Sequence, residues 1–397
     1  MPVFELAEYL DRVARVKARM AREGLDLLVV TDPANMNYLA GYDGWSFYVH
    51  QCLILAQNED APIWIGRAQD AEGARLTTWL PVDSVRGYPD HYVQSTERHP
   101  MDFVADLVAD RGWGNGRIGT EQDAYYFNAA CQAALESGLP NAGFADATLL
   151  VNWERAVKSD AEVAQLRIAG RIMEQVMDAA LQATVPGARQ SAVAAAALRA
   201  MPRGTPEHGG EYPGLLPPLL PTGESSGAPH LTWTDRAYER NEMAVFELGA
   251  TRHRYHSPMV RSAWLGTPPD RVADLAKVVA EGLEAALDTA GPGVAAEDVS
   301  EAWRRVTARH GLEKKSRLGY SIGLGYPPDW GEHTISLRTE DRTELRANMA
   351  FHAIASLRRD EVTCKMSEAF LITETGAEAL ARVPRELFTR YCRKTKR

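Results

Sequence analysis

Apolar residues recur along this chain in two rhythms. Over residues 5–23 the spacing is helical, with Leu6, Leu10, Val13 and Met20 along one side and Gly24 ending the run. LDLLVVTD, CLILAQ, APIWIG and GRIGTE read instead as short buried strands. Residues 99–111 and AYYFNAACQAAL read as helices, and DPANMNYLAGYDGW as a turn. Helices alternating with short buried strands predict an α/β domain over residues 1–152.

A polar junction, NWERAVKS, leads into a second domain over residues 153–397. Ser159 or Asp160 caps a helix running to about Thr184, with Glu162 in its first turn. Leu166, Met173, Val176, Met177 and Leu181 lie along it at helical spacing, and Pro186-Gly187 ends it. An Ala-rich helix over 190–201 follows, then a Pro/Gly segment over 202–229. That segment is far longer than an ordinary connection, which points to a functional role. VFELGA and PMVRSAWLG form a pair of strands; helices over 270–290 and 296–310 come next, separated by Gly291-Pro292-Gly293. A glycine loop (RLGYSIGLGYPPDWGE), the strands MAFHAIASL and SEAFLITET, and a basic exposed tail complete an α+β domain.

Composition restricts the partners. Of 397 residues, 45% are hydrophobic and 24% charged, a normal globular balance. The net charge of −9 argues against nucleic acid or an anionic membrane as partner. No apolar run has the length of a membrane span, and the amphipathic N-terminus has no signal-peptide core. Cys52, Cys131, Cys364 and Cys392 are scattered without metal-site spacing, so free thiols in a reducing cytoplasm are expected.

The candidate chemistry begins with Glu247, a lone acid between Phe246 and Leu248 in an apolar strand. An unpaired buried charge costs several kcal/mol, so this acid is paired, protonated or functional. Arg252, Arg254 and Arg261 are near enough in sequence to make it an ordinary salt bridge.

ERAVKSDAEVAQLRIAG, APHLTW, VFELGA with SPMVRS, GYSIGLG and LITETG occur in one order, and in that order the chain resembles the creatinase/aminopeptidase, or pita-bread, family. The resemblance covers both domains. It implies a creatinase-like N-terminal α/β domain, a pita-bread catalytic domain and a homodimer. Metal-dependent members bind two ions through two Asp, one His and two Glu; those positions fall on Glu247, Pro258, Tyr320, Ile354 and Ser367. Pro and Ile carry no donor atom, so the expectation is an enzyme without metal or other cofactor. The glutamates that hold a guanidinium in creatinase fall on Val260 and Ile354, so that pocket is not expected either. His230 occupies the family's active-site histidine position.

TDPANMNYLAGYDGWSFYVHQ, GYPDHYVQSTERHPMDF, RHRYHSP and GYSIGLGYPPDWGEHTISLR resemble a branch that opens a cyclic amidine by hydrolysis. This implies a small zwitterionic substrate, with Glu247 and His230 as the catalytic pair. Related metal-free amidinohydrolysis of another zwitterion and an inactive binding scaffold are the alternatives. Expected substrate-binding residues are Trp45 and Tyr48 of an aromatic loop, Tyr320, Asp329, His352 and Glu368. His256 and Arg261 are expected to be structural, although Arg261 and the Arg252–Arg254 pair are also candidates for a substrate carboxylate. Gly319, Gly323 and Gly325 do not sit between a strand and a helix, so they read as a lining loop and not as a nucleotide cradle.

Overall fold

The computed structural model describes residues 2–215 and 217–391. The chain divides into two compact units, Met1–Arg155 and Ala156–Arg397. The expected basic tail beyond residue 391, with Cys392, lies outside the described residues.

Unit 1 runs α1 (Leu6–Arg22), β1 (Leu27–Val30), α2 (Pro33–Ala40), β2 (Cys52–Ala56), β3 (Ile63–Arg67), α3 (Ala71–Thr77), β4 (Val85–Tyr88), α4 (Pro100–Asp110), β5 (Arg117–Thr120), α5 (Ala129–Gly138), β6 (Gly143–Asp146) and α6 (Leu150–Arg155). Its strands form one sheet in the order β4-β3-β2-β1-β5-β6. The β1–β2 and β2–β3 pairs are antiparallel and the remaining pairs parallel. The sheet buries Leu27, Val29, Ile54 and Ile65 against Met101, Val104 and Val108 of α4 and Cys131 and Leu135 of α5.

Three expectations for this unit change. Leu6 and Leu10 face solvent; α1 buries Tyr9, Arg12, Val13, Val16 and Met20. The Arg12 guanidinium lies 4.5 Å from the ring centres of both Phe4 and Tyr38. An arginine can therefore belong to the inner face, where its planar cation stacks on aromatic rings. The predicted turn at Asp32 begins with helix α2: the Asp32 side chain accepts from Ala34 N–H at 2.7 Å, Pro33 opens the first turn, and Gly41 at φ 81° closes it. NWERAVKS is no solvated junction either. Asn152 and Arg155 are buried, and Asn35 joins them to Glu121: its amide donates to Glu121 and Asn152 at 2.7 and 2.8 Å, and its oxygen accepts from Arg155 at 2.6 Å.

Unit 2 begins with the helix pair α7 (Asp160–Ala183) and α8 (Gln190–Arg203), followed by β7 (Met243–Arg252) and β8 (Tyr255–Leu265). A second helix pair, α9 (Asp270–Thr289) and α10 (Ala296–Ala308), precedes β9 (Gly319–Tyr326), β10 (Asp329–Leu337), β11 (Ala350–Arg359), β12 (Val362–Thr373), β13 (Gly376–Ala379) and β14 (Phe388–Arg390). Ser159 and Glu162 close a capping box on α7, as its sequence predicts. Along the sheet the order is β13-β12-β11-β9-β8-β14, with β7 paired to β8 and β10 to β9. Leu181 and Met177 of α7 pack with Phe246, Leu248 and Met259 of the β7–β8 hairpin. Among the described residues, no helix is long and apolar enough to cross a membrane.

The expected glycine loop is instead the β9–β10 hairpin, so the lining-loop reading is corrected. Its glycines are required by packing. A Cβ on Gly319 would lie 2.3 Å from the His352 carbonyl oxygen, and one on Gly323 2.3 Å from Glu332 Oε1. Close backbone approach explains why strand alternation is invisible in GYSIGLGY.

Candidate active site

Strand register decides which chemistry shares a face. Glu247 pairs with Val260, and Phe246 with Arg261. Directly opposed residues project to the same side, and neighbours along a strand to opposite sides. Glu247, Val260 and Pro258 therefore share one face, and Arg261 points away from them. By the same rule Tyr320 opposite His352, Ile354 opposite Ser367, and Ser356 opposite Lys365 form one row across β9, β11 and β12. The two groups meet where Val260 N–H donates to Ser367 Oγ at 2.6 Å.

Glu247 has no arginine partner of the kind its sequence neighbourhood suggests. Burial pushes its carboxyl above the ordinary range, opposed first by Lys365 and then by His230. Lys365 is itself pushed down by burial and held up by Glu247. Glu247 on β7 and Lys365 on β12 are thus electrostatic partners. His230 is exposed and sits at φ 61°.

A polar relay supports the opposite wall. Ser367 Oγ lies 2.7 Å from His352 Nε2, and His352 Nδ1 lies 3.3 Å from the Tyr320 hydroxyl. Trp330 Nε1–H donates to that hydroxyl at 2.8 Å. Burial lowers His352 to about 3, with Arg261 adding to the effect, so the ring is neutral at physiological pH. Ser367 Oγ accepts from Val260 N–H, and the neutral His352 ring bridges Ser367 and Tyr320, one ring nitrogen donating and the other accepting. Trp330 and His352 together fix the position of the phenolic oxygen. Burial pushes this phenol up, and Glu247 pushes it up further. It is a neutral donor.

Other expected site residues lie elsewhere. Glu368 points to the Arg261 face and meets Arg261 at 2.5 Å and Arg385 at 3.2 Å. It is the buried anchor of an ion-pair network and does not serve as a second acid beside Glu247. Asp329 is committed to its own turn: it accepts from Trp330 and Gly331 N–H at 2.6 and 3.0 Å and contacts His333 at 2.7 Å. Burial raises Asp329, but His333 and these amides outweigh it and hold the carboxyl low. Glu332 pairs with buried Lys158 at 2.7 Å, behind Gly323.

Arg252 donates to the Gly209 carbonyl, and Arg254 lies 3.9 Å from Glu211, so both tie down the 202–229 segment. His256 is structural as expected, accepting from Gly214 N–H at 2.6 Å. Trp45 and Tyr48 belong to unit 1 and are 55% and 65% exposed. Lys365 is the residue that sequence reading missed. Its one signal was a cation at i−2 from Ser367 in a largely buried strand sequence.

The family positions for metal ligands do not fit a dinuclear centre. Pro258 and Ile354 offer no donor, and the Tyr320 and Ser367 hydroxyls are engaged in the relay. Hard divalent ions need several oxygen or nitrogen ligands. Among the described residues, the grouping of three His, Cys, Asp or Glu side chains close enough to share an ion lies in unit 1.

Two helix pairs and a mostly antiparallel sheet, preceded in the chain by an α/β unit, define the creatinase/prolidase class of hydrolases. The chain belongs to metallopeptidase family M24: that family's model matches residues 164–374, and the creatinase/prolidase N-terminal domain matches residues 12–157. It is 43% identical to an ectoine hydrolase of Halomonas elongata over 98% of each chain. It is also 44% identical to an uncharacterised hydrolase/peptidase of Sinorhizobium fredii, over 97% of this chain and 98% of that one. Dipeptidase PepE of Mycobacterium ulcerans shares the fold, with a TM-score of 0.79 at 23% identity over 98% of this chain and 99% of that one.

Proposed function

We propose that this hydrolase opens the ring of ectoine, a cyclic amidine bearing a carboxylate, to N-acetyl-2,4-diaminobutyrate, and does so without metal. The observation that carries the reading is the electrostatic pairing of Glu247 and Lys365 on strands whose rows meet at the Val260–Ser367 hydrogen bond. A substrate with an amidinium at one end and a carboxylate at the other matches that pair charge for charge. The full-length identity to an ectoine hydrolase supports the same substrate.

The amidinium carbon is already electrophilic because the ring carries the positive charge, so Lewis-acid polarisation would add little. Glu247 binds the amidinium N–H groups. Lys365 receives the carboxylate. Water adds its oxygen to the carbon between the two nitrogens, and His230 carries the proton from that water to the departing nitrogen. One ring C–N bond then breaks, leaving an acetamide on one nitrogen and a free amine on the other. Tyr320, oriented by His352 and Ser367, donates to the oxygen that gains charge in the adduct. The working form is a cytoplasmic homodimer.

The test is incubation of chelator-treated protein with ectoine, followed by proton NMR. Appearance of the acetyl-diaminobutyrate signals supports the proposal. Unchanged ectoine overturns the substrate, and turnover that requires added metal overturns the mechanism.

A further inference from the structure

We propose that His50, His99 and Cys131 form a binding site for one zinc-class divalent cation in unit 1, separate from the Glu247 site. The three residues lie 49 and 32 positions apart in sequence, which is why no motif announces them. The fold brings them together. His50 lies two residues before β2, His99 is the N-cap of α4, and Cys131 sits in the first turn of α5. One ligand atom from each residue can be chosen so that all three lie within 4.8 Å of one another.

The closest pair already has the required separation. His50 Nδ1 lies 3.5 Å from Cys131 Sγ. Tetrahedral zinc with Zn–N of about 2.05 Å and Zn–S of about 2.3 Å places nitrogen and sulfur about 3.6 Å apart. The His50 and His99 ring centres are 4.6 Å apart at 43°, so both imidazoles border the same point. The main chain of Tyr126 hydrogen-bonds the His50 ring, a contact of the type that orients a ligating imidazole. The Tyr88 hydroxyl donates to the His50 carbonyl at 2.6 Å and fixes the backbone there.

A thiolate with two imidazoles is a donor set for zinc, cobalt and their neighbours, and not for magnesium or calcium. Three protein ligands leave a fourth position for water. Ligation has one local consequence. His99 Nδ1 now accepts from Met101 N–H at 3.1 Å, and a neutral imidazole has a single lone pair, so metal capture releases that bond. The rest of the cap, Asp102 accepting from His99 N–H at 2.7 Å, stays in place.

Cobalt(II) is the probe, added to the chelator-treated full chain. The expected result is one equivalent bound, with a thiolate-to-cobalt charge-transfer band and a rise in melting temperature. Cys131→Ser should abolish the band. His99→Asn keeps a capping acceptor on α4 while removing the imidazole, so it tests ligation in a folded chain even if Cys131→Ser does not fold. In His99→Asn both the band and the melting shift should be lost. Absence of the band in the parent chain overturns the proposal. So does a band that survives in Cys131→Ser or unchanged cobalt affinity in His99→Asn.

Discussion

Glu247→Gln separates chemistry from folding because the two should move in opposite directions. Burial raises the Glu247 carboxyl, and Lys365 and His230 pull it back without cancelling the rise. Its pKa in the folded chain is therefore above that in the unfolded chain, about 4.3. A carboxyl of this kind contributes its stability below the unfolded pKa and loses it as pH rises through the folded one. At neutral pH the charged Glu247 is a net cost, about 1.4 kcal/mol for each unit of the rise. The attraction to Lys365 is already contained in that balance. Glutamine keeps the shape and removes the charge. The variant should be more stable than the parent at pH 7 in urea unfolding, and the difference should vanish in acid below the unfolded pKa. The kcat/KM for ectoine should fall by about 10–100-fold, the worth of the charge-assisted hydrogen bonds to the amidinium, which is about 1.4–2.7 kcal/mol. Activity retained within a few-fold would refute the assignment of Glu247. Lost activity together with lower stability at every pH would refute the electrostatic reasoning, because the defect would then be structural.

Lys365→Met should raise KM for ectoine by about 10–100-fold, the worth of one charge-assisted hydrogen bond. It should also move the acidic limb of the pH–rate profile upward, because the largest force lowering Glu247 is removed; steady-state kinetics across pH checks both. His230→Asn should lower kcat by about 100-fold or more with little change in melting temperature, since the side chain is exposed. Arg261→Met strands Glu368, which keeps Arg385, and it also removes the Arg261 hydrogen bonds to the carbonyls of Val260, Ser367, Val383 and Pro384. Denaturant unfolding should show a loss of about 3–5 kcal/mol. The deficit should narrow as pH falls, because burial already raises Glu368 and protonation removes the stranded charge.

Much of the fold was legible because it rests on local rules. The α7 capping box and the helix stripe from Leu166 to Leu181 follow their local rules, and VFELGA and PMVRSAWLG fall on the two strands of the β7–β8 hairpin. Reading failed where side chains had long-range partners. Arg12, Asn152 and Arg155 look solvated in sequence and are buried because aromatic rings and amides from distant segments receive them. The β9–β10 hairpin was hidden by glycines whose purpose is to admit the His352 carbonyl and the Glu332 carboxylate.

The sequence by itself determined the two-domain class and marked Glu247, His230 and Tyr320, because an acid in an apolar strand and a family motif are local facts. It could not rank the remaining polar residues. Only register decided that Lys365, Ser367 and His352 share a face while Glu368 turns to Arg261. A shift of one residue in β12 would exchange those roles, since strand side chains alternate. Likewise, only the packing of β2, α4 and α5 brings His50, His99 and Cys131 to one point. Chemistry between residues far apart in sequence is a property of distance, and distance is set by tertiary structure.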